Sequence, residues 1–147
     1  MNKLIGAFIF IIACSPQQTD LSSSAKQEIL KADKEMSDMA SQSGFQKALL
    51  AYAHDSLIKP EDGQHPVIGK KALEDDWKGK SGTKDISWEP TRVEAAKSGE
   101  LGYTFGNWKY VTSDTTFYGN YYTAWKKEKD GAWKWVIDGG NNTPAPQ

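Results

Sequence analysis

"YYTAWKKEKDGAWKWVIDGG", residues 121–140, decides how this chain folds. It sets five large aromatics on the two sides of one Asp-Gly pair, with lysines between them. Apolar and charged residues alternate around Trp125 and again around Trp133 and Trp135, the period of a half-buried strand. Asp130-Gly131 is a hairpin signal. The register depends on the loop. A two-residue loop sets Trp125 opposite Val136. A three-residue loop with a bulge at Gly131 sets Trp125 opposite Trp135 and Thr123 opposite Ile137. One residue of slip turns every side chain to the other face. The bulged loop is expected, because it gathers Trp125, Trp133, Trp135 and Ile137 on one face and puts Lys126 and Lys134 on the other. Whether that aromatic face is core or the wall of a pocket is the question the rest of the chain must answer.

Reading backwards, residues 117–128, 101–111 and 85–96 also alternate and are predicted strands, with the last at 132–140. Pro90 cannot donate to a ladder, so its strand is an edge there or carries a bulge. Gly102, Gly106 and Gly119 suit bends or bulges that curl a sheet. Further back the period changes to 3.6. Ile29, Ala32, Met36, Met39 and Ala40 mark a helix over 25–44, broken at Ser43-Gly44. Phe45, Ala48, Leu49 and Tyr52 mark a second over 45–55, which stops before the turn-rich "IKPEDGQHP". Ala72, Leu73 and Trp77 mark a third over 69–80. Helices first and strands after predict an α+β domain, three N-terminal helices packed on a curved, mainly antiparallel sheet.

The 147 residues suffice for one domain with a real core. A formal net charge of -1 with no basic stripe argues against a nucleic-acid partner. Two scattered histidines and no ligand-spaced carboxylate pair give no metal site. No phosphate-cradling glycine loop and no Ser or Cys nucleophile signature is present, so no cofactor is expected.

The N-terminus reads as an address. Lys3 precedes "LIGAFIFII" (4–12), an apolar run too short to span a bilayer. The run ends at "IIAC", and Cys14 is the only cysteine, without an intrachain disulfide partner. This resembles a bacterial lipoprotein signal, in which cleavage precedes the Cys and its sulfur carries the lipid. The resemblance implies a signal peptide over 1–13, a lipidated Cys14 with a flexible Ser-rich tether over 14–25, the folded domain over 26–143 and a loose tail over 144–147. It also implies a bacterial envelope location, lipid-anchored at the outer membrane or periplasmic face. A tether of this length reaches roughly 18 Å from the lipid.

The phrases "KADKEM" (31–36), "AYAHDSLIKPEDGQHPVIGKKAL" (51–73), "SWEP" (87–90), "GELGYTFGNW" (99–108) and "DGAWKWVIDGG" (130–140) carry a second resemblance. Their order and spacing are similar to the SnoaL-like, or nuclear-transport-factor-2-like, superfamily of cone-shaped, cystatin-like α+β domains, in an uncharacterised and often secreted bacterial branch. That superfamily holds isomerases, dehydratases, cyclases and non-catalytic binding modules, so the fold does not settle the function. The resemblance implies a pocket inside the cone.

Its expected lining is Tyr52 from a helix and Trp88 and Tyr103 from strands, with Asp138 at the rim as polar anchor. A small apolar ligand, or an accessory role, is the leading expectation. An isomerase- or dehydratase-type enzyme using His54 or Asp138 as acid or base is an alternative. A homodimeric interaction module built on the sheet face is another. Against these stand plainer roles. Asp33 reads as a helix-surface or inter-element hydrogen-bonding residue. Asp55 and His54 read as residues of a helix end. His65 reads as a solvated loop residue.

Overall fold

The computed structural model describes residues 19–146. The expected signal peptide, Cys14 and the first part of the expected tether lie outside these residues. The elements are α1 (Ser22–Ser43), α2 (Phe45–Tyr52), β1 (Ala53–Lys59), β2 (Val67–Ile68), α3 (Lys70–Asp76), β3 (Ile86–Ala95), β4 (Leu101–Val111), β5 (Thr116–Lys127) and β6 (Trp133–Thr143). One curved six-stranded sheet has the order β2-β1-β6-β5-β4-β3. Strands β3 to β6 form an antiparallel meander, and β1 joins it parallel to β6. The helices pack on one face, the α+β architecture expected. No helix among the described residues is long and apolar enough to cross a membrane.

The α1 helix forms because Ala25, Ile29, Ala32, Met36 and Ala40 make one buried stripe at three- and four-residue steps. It begins three residues earlier than the spacing predicts. The Asp20 carboxylate accepts from the Ser22 N–H at 2.9 Å and from its hydroxyl at 2.6 Å, which serves the first turn. Leu21, read as tether, donates its N–H to the Lys97 carbonyl at 2.8 Å and is tied to the β3–β4 turn.

The hairpin at Asp130-Gly131 has the bulged three-residue loop. The Glu128 N–H reaches the Ala132 carbonyl at 2.8 Å, Gly131 has φ +88°, and Trp125 stands opposite Trp135. Trp125 and Trp135 are fully buried. Each indole removes on the order of 150–250 Å² from water, about 4–6 kcal/mol of gross transfer free energy. Pro90 lies on the edge strand, and the β3–β4 register shifts between Pro90 and Arg92, so both readings of that proline hold.

Three expectations need correction. The second helix stops at Tyr52, and residues 53–59 are strand β1, with β2 pairing back onto it. Ala53 pairs with Trp135, and Ile58 with Ile137. The partner that makes this segment a strand lies some 80 residues away, out of reach of local periodicity. Second, of Gly102, Gly106 and Gly119, read as sites of bends or bulges, only Gly106 faces a register shift, the one between Pro90 and Arg92 on β3, while β4 and β5 pair in unbroken register. The glycines make room instead: a Cβ at Gly119 would meet the Trp108 ring at 2.2 Å, and one at Gly106 the Tyr121 ring at 2.6 Å. Third, Ile137 does not share a face with Trp135. An extra residue, Val136, lies between the pairs Trp125–Trp135 and Ala124–Ile137. Ile137 is 37% exposed, and Thr123 stands opposite Asp138 instead.

Gly44 joins α1 to α2 with φ +103°, and a Cβ there would lie 2.2 Å from the Ser81 carbonyl oxygen. Strained φ and backbone collision add. Gly44→Ala should lose about 2–4 kcal/mol in urea unfolding, whereas Gly63→Ala, also at positive φ but with nothing within 4 Å, should lose about 1 kcal/mol. Equal losses would refute the packing argument.

Candidate functional site

The bulge at Val136 decides the site. Before it, Trp133 and Trp135 face the helices; after it, Asp138 does, and it is buried. Its carboxylate accepts from the Thr123 hydroxyl at 2.8 Å. Lys59, at the end of β1, places its ammonium 3.4 Å from Asp138 Oδ2. The pair forms one wall of a cavity of about 180 Å³ between the helices and the sheet. Met36 of α1, Phe45 and Leu49 of α2, Ile86 and Trp88 of β3, Trp108 of β4, Tyr121 of β5 and Gly139-Gly140 of β6 complete it. The lining is mainly apolar, with the polar groups on the β6 side, as in small-molecule sites generally.

Behind the cavity lies a second carboxylate. Asp33 is wholly buried in the apolar stripe of α1. Trp88 Nε1 donates to Oδ1 at 2.8 Å, and the Tyr121 hydroxyl donates to both oxygens at 3.1 and 3.2 Å. Burial pushes the Asp33 carboxyl above the usual carboxylate range, opposed by the hydrogen bonds from Thr104, Trp88 and Tyr121. The Asp138 charge adds a smaller push upward. Burial first, and then the Asp33 charge, also hold the Tyr121 phenol far up in its neutral form. Thr104 in turn accepts from Trp125 Nε1 at 3.0 Å, which carries the network into the core.

Of the four residues expected to line a pocket, Trp88 and Asp138 meet in this cavity. Tyr52 sits apart from it. It packs edge-on against Trp125, with ring centroids 6.5 Å apart, and lines a shallow groove with Glu35 and Lys134. Tyr103 is on the opposite face of the sheet, 41% exposed beside Phe105 and Tyr122, because odd positions of β4 point away from the helices. His54 does not reach the cavity. Its Nε2 lies 3.0 Å from a Glu128 carboxylate oxygen and its Nδ1 accepts from the Ser56 N–H at 3.0 Å, so its ring nitrogens are engaged in structural contacts away from the cavity. Asp55 is exposed within β1 rather than ending a helix, and His65 is exposed in its loop.

The aromatics of residues 121–135 thus divide between three places. Trp125, Trp133 and Trp135 are core, Tyr121 is cavity wall, and Tyr122 faces outward. The main residue missed by sequence reading is Lys59, which stands in a stretch read as a loop. Its only local signal is a charge following "SLI".

No family model matches this chain, and no curated protein matches it in sequence. Solved structures do match in shape. A candidate ketosteroid isomerase from Parabacteroides distasonis aligns with TM-score 0.66 at 15% identity, over 87% of this chain and 98% of that one. An NTF2-like protein with a cystatin-like fold from Novosphingobium aromaticivorans gives 0.62 at 13%, over 84% and 85%. A candidate scytalone dehydratase from the same species gives 0.60 at 15%, over 80% and 83%. At these identities the likeness shows the fold alone, and that fold is the cystatin-like, NTF2-like one.

Asp33→Ala leaves two buried donors, Trp88 Nε1 and the Tyr121 hydroxyl, without an acceptor and should lose about 2–4 kcal/mol. Asp33→Asn should lose less. The sign with pH is fixed. The folded-state pKa of Asp33 is above its unfolded value, so protonation favours the fold. The stability of the wild type relative to Asp33→Asn should be greatest in acid and fall as pH rises from the ordinary carboxylate range through the raised folded value. A difference that grows with pH would refute this assignment.

Proposed function

We propose that the cone binds a small, largely apolar molecule about one ring in size. The observation that carries this reading is the 180 Å³ cavity with its Lys59–Asp138 wall. A 150 Å³ apolar protein cavity is known to accept benzene, so this one has room for one ring with a substituent. A four-ring skeleton would have to protrude through the mouth. The resemblance of the first residues to a lipoprotein signal adds a location: the domain is carried on a lipidated Cys14 at the bacterial envelope and samples solutes near that membrane.

One observation favours a second reading, an enzyme of the isomerase or dehydratase kind. Asp138 is the one carboxylate among the cavity-lining residues, within reach of any bound ring. A general base must stand within hydrogen-bond distance of the proton it takes. Solved proteins of this fold include candidates for both activities.

Titration with single-ring aromatics should quench tryptophan fluorescence, since Trp88 and Trp108 line the cavity. Ile86→Trp places an indole in that space from the edge strand. It should cut affinity at least about tenfold, the worth of one buried contact, with the melting temperature unchanged. Unaltered binding would remove the ligand from the cavity. Trp88→Ala is a poorer probe, because it also unfastens Asp33. If Asp138→Asn abolishes a turnover while binding survives, the enzyme reading replaces the receptor.

For the anchor, mass spectrometry of the mature protein should show an N-terminal, acylated Cys14. An unmodified terminus at Ser15 or beyond would overturn it. Cys14→Ala should release the domain in folded form.

A further inference from the structure

The hydrogen-bonding capacity of the cavity wall is unequally committed, and this bears on the chemical class of the ligand. Five polar side chains line the cavity: Lys59, Trp88, Trp108, Tyr121 and Asp138. Three have given up their only proton. Trp88 Nε1 donates to Asp33 at 2.8 Å, Trp108 Nε1 to the Asn120 carbonyl at 3.1 Å, and the Tyr121 hydroxyl to Asp33. What remains is Lys59 and Asp138, side by side. Asp138 Oδ1 accepts from Thr123, and Oδ2 faces the Lys59 ammonium at 3.4 Å, which also approaches the Asp138 carbonyl at 3.5 Å. A carboxylate accepts at about four positions and an ammonium carries three protons. Each therefore has capacity to spare. Their separation also exceeds the roughly 2.7–2.9 Å of a tight charge-assisted bond. The Tyr121 oxygen keeps a lone pair and adds an acceptor.

Building on the receptor reading, we infer that the ligand is a hydroxyl-bearing single-ring compound, a phenol or a benzylic alcohol. Its O–H donates to Asp138 while its oxygen accepts from Lys59. A hydroxyl does both through a single atom, which suits two groups 3.4 Å apart; a carboxamide would need two atoms and more room. A ketone or aldehyde satisfies Lys59 but turns lone pairs toward the Asp138 carboxylate. A ligand carboxylate meets the same carboxylate with like charge. A ligand ammonium suits Asp138 but meets the Lys59 ammonium. Both side chains are nearly withdrawn from water, 14% and 12% exposed, so a mismatched group is not rescued by solvent.

The test is a titration of wild-type domain carrying 13C-methyl methionine. The Met36 methyl lines the cavity, and Met39 on the same helix, absent from the lining, serves as the control. The probes are toluene, phenol, benzyl alcohol, acetophenone, benzoate and benzylammonium. Phenol and benzyl alcohol should bind at least about tenfold more tightly than toluene or acetophenone, the worth of one hydrogen bond to a charged group. Asp138→Asn and Lys59→Met should each bring phenol close to toluene. If acetophenone, benzoate or benzylammonium binds best, or phenol only equals toluene, the hydroxyl inference fails while Met36 still reports an occupied cavity. If no probe moves Met36, the receptor reading fails, and this inference with it.

Discussion

A carboxylate buried in the apolar face of a helix is the constraint on which this structure depends. Asp33 lies in the stripe that α1 presents to the sheet, between Ile29 and Met36, where a charge without partners would be costly. Its position is tolerable because β3 brings Trp88 and β5 brings Tyr121 to its two oxygens. These bonds fix the rotation of α1 about its axis and its height above the sheet. Ser37, one turn further along, repeats the fastening. Its hydroxyl donates to the Trp88 carbonyl at 3.0 Å and accepts from the Trp88 N–H at 3.3 Å. With α1 held there, Met36 forms part of the cavity wall and Trp125 is sealed beneath.

The same principle governs the tryptophans. Beside Trp88, the indole nitrogens of Trp108, Trp125, Trp133 and Trp135 each find an acceptor in a named partner: Asn120, Thr104, Glu28 and Leu49. A large apolar body supplies burial, and a single polar atom sets its orientation. Glu28 is the clearest case outside the core. Hydrogen bonds from Lys127 and then Trp133 hold its carboxyl below the usual range, and they tie the first turns of α1 to the β5–β6 hairpin. Glu28 and Trp133 line the groove that holds Tyr52, apart from the cavity with Lys59 and Asp138.

Beside the irregular β1–β6 pairing between Ala53 and Ile58, two register shifts in the antiparallel meander shape the sheet. The one near Pro90 moves the inward set of β3 from Trp88 to Val93 and Ala95, so the edge strand follows α1 along its length. The one at Val136 exchanges Ile137 for Asp138 on the inner face. Without it the cavity would be closed by an isoleucine, and the polar wall with Lys59 would not exist. The exchange has a counterpart outside, where Ile137 joins Ile58, Tyr103, Phe105 and Tyr122 on an open sheet face.

The sequence by itself determined the class of fold, because that depends on local periodicity. Three-and-four spacing from Ile29 to Ala40 can only bury one side of a helix, and alternation from residue 85 onward can only bury one side of a sheet. The Gly131 loop and the edge position of Pro90 were legible for the same reason: positive φ and a missing N–H are properties of single residues. Trp88 and Asp138 were legible as candidates for the cavity by residue type and position along their strands. Tertiary structure alone decided the rest. Strand β1 exists because β6 is beside it, and Lys59 becomes part of the site only through that pairing. The bulge at Val136 is one residue in a run, "WKWVIDGG", whose alternation gives no sign of it. Asp33 was open between a helix-surface and an inter-element hydrogen-bonding role, and only the fold decided for the second, because its donors lie 55 and 88 positions away. Periodicity records which way a side chain points from its own backbone. What it meets there is fixed by the packing of segments distant in the chain.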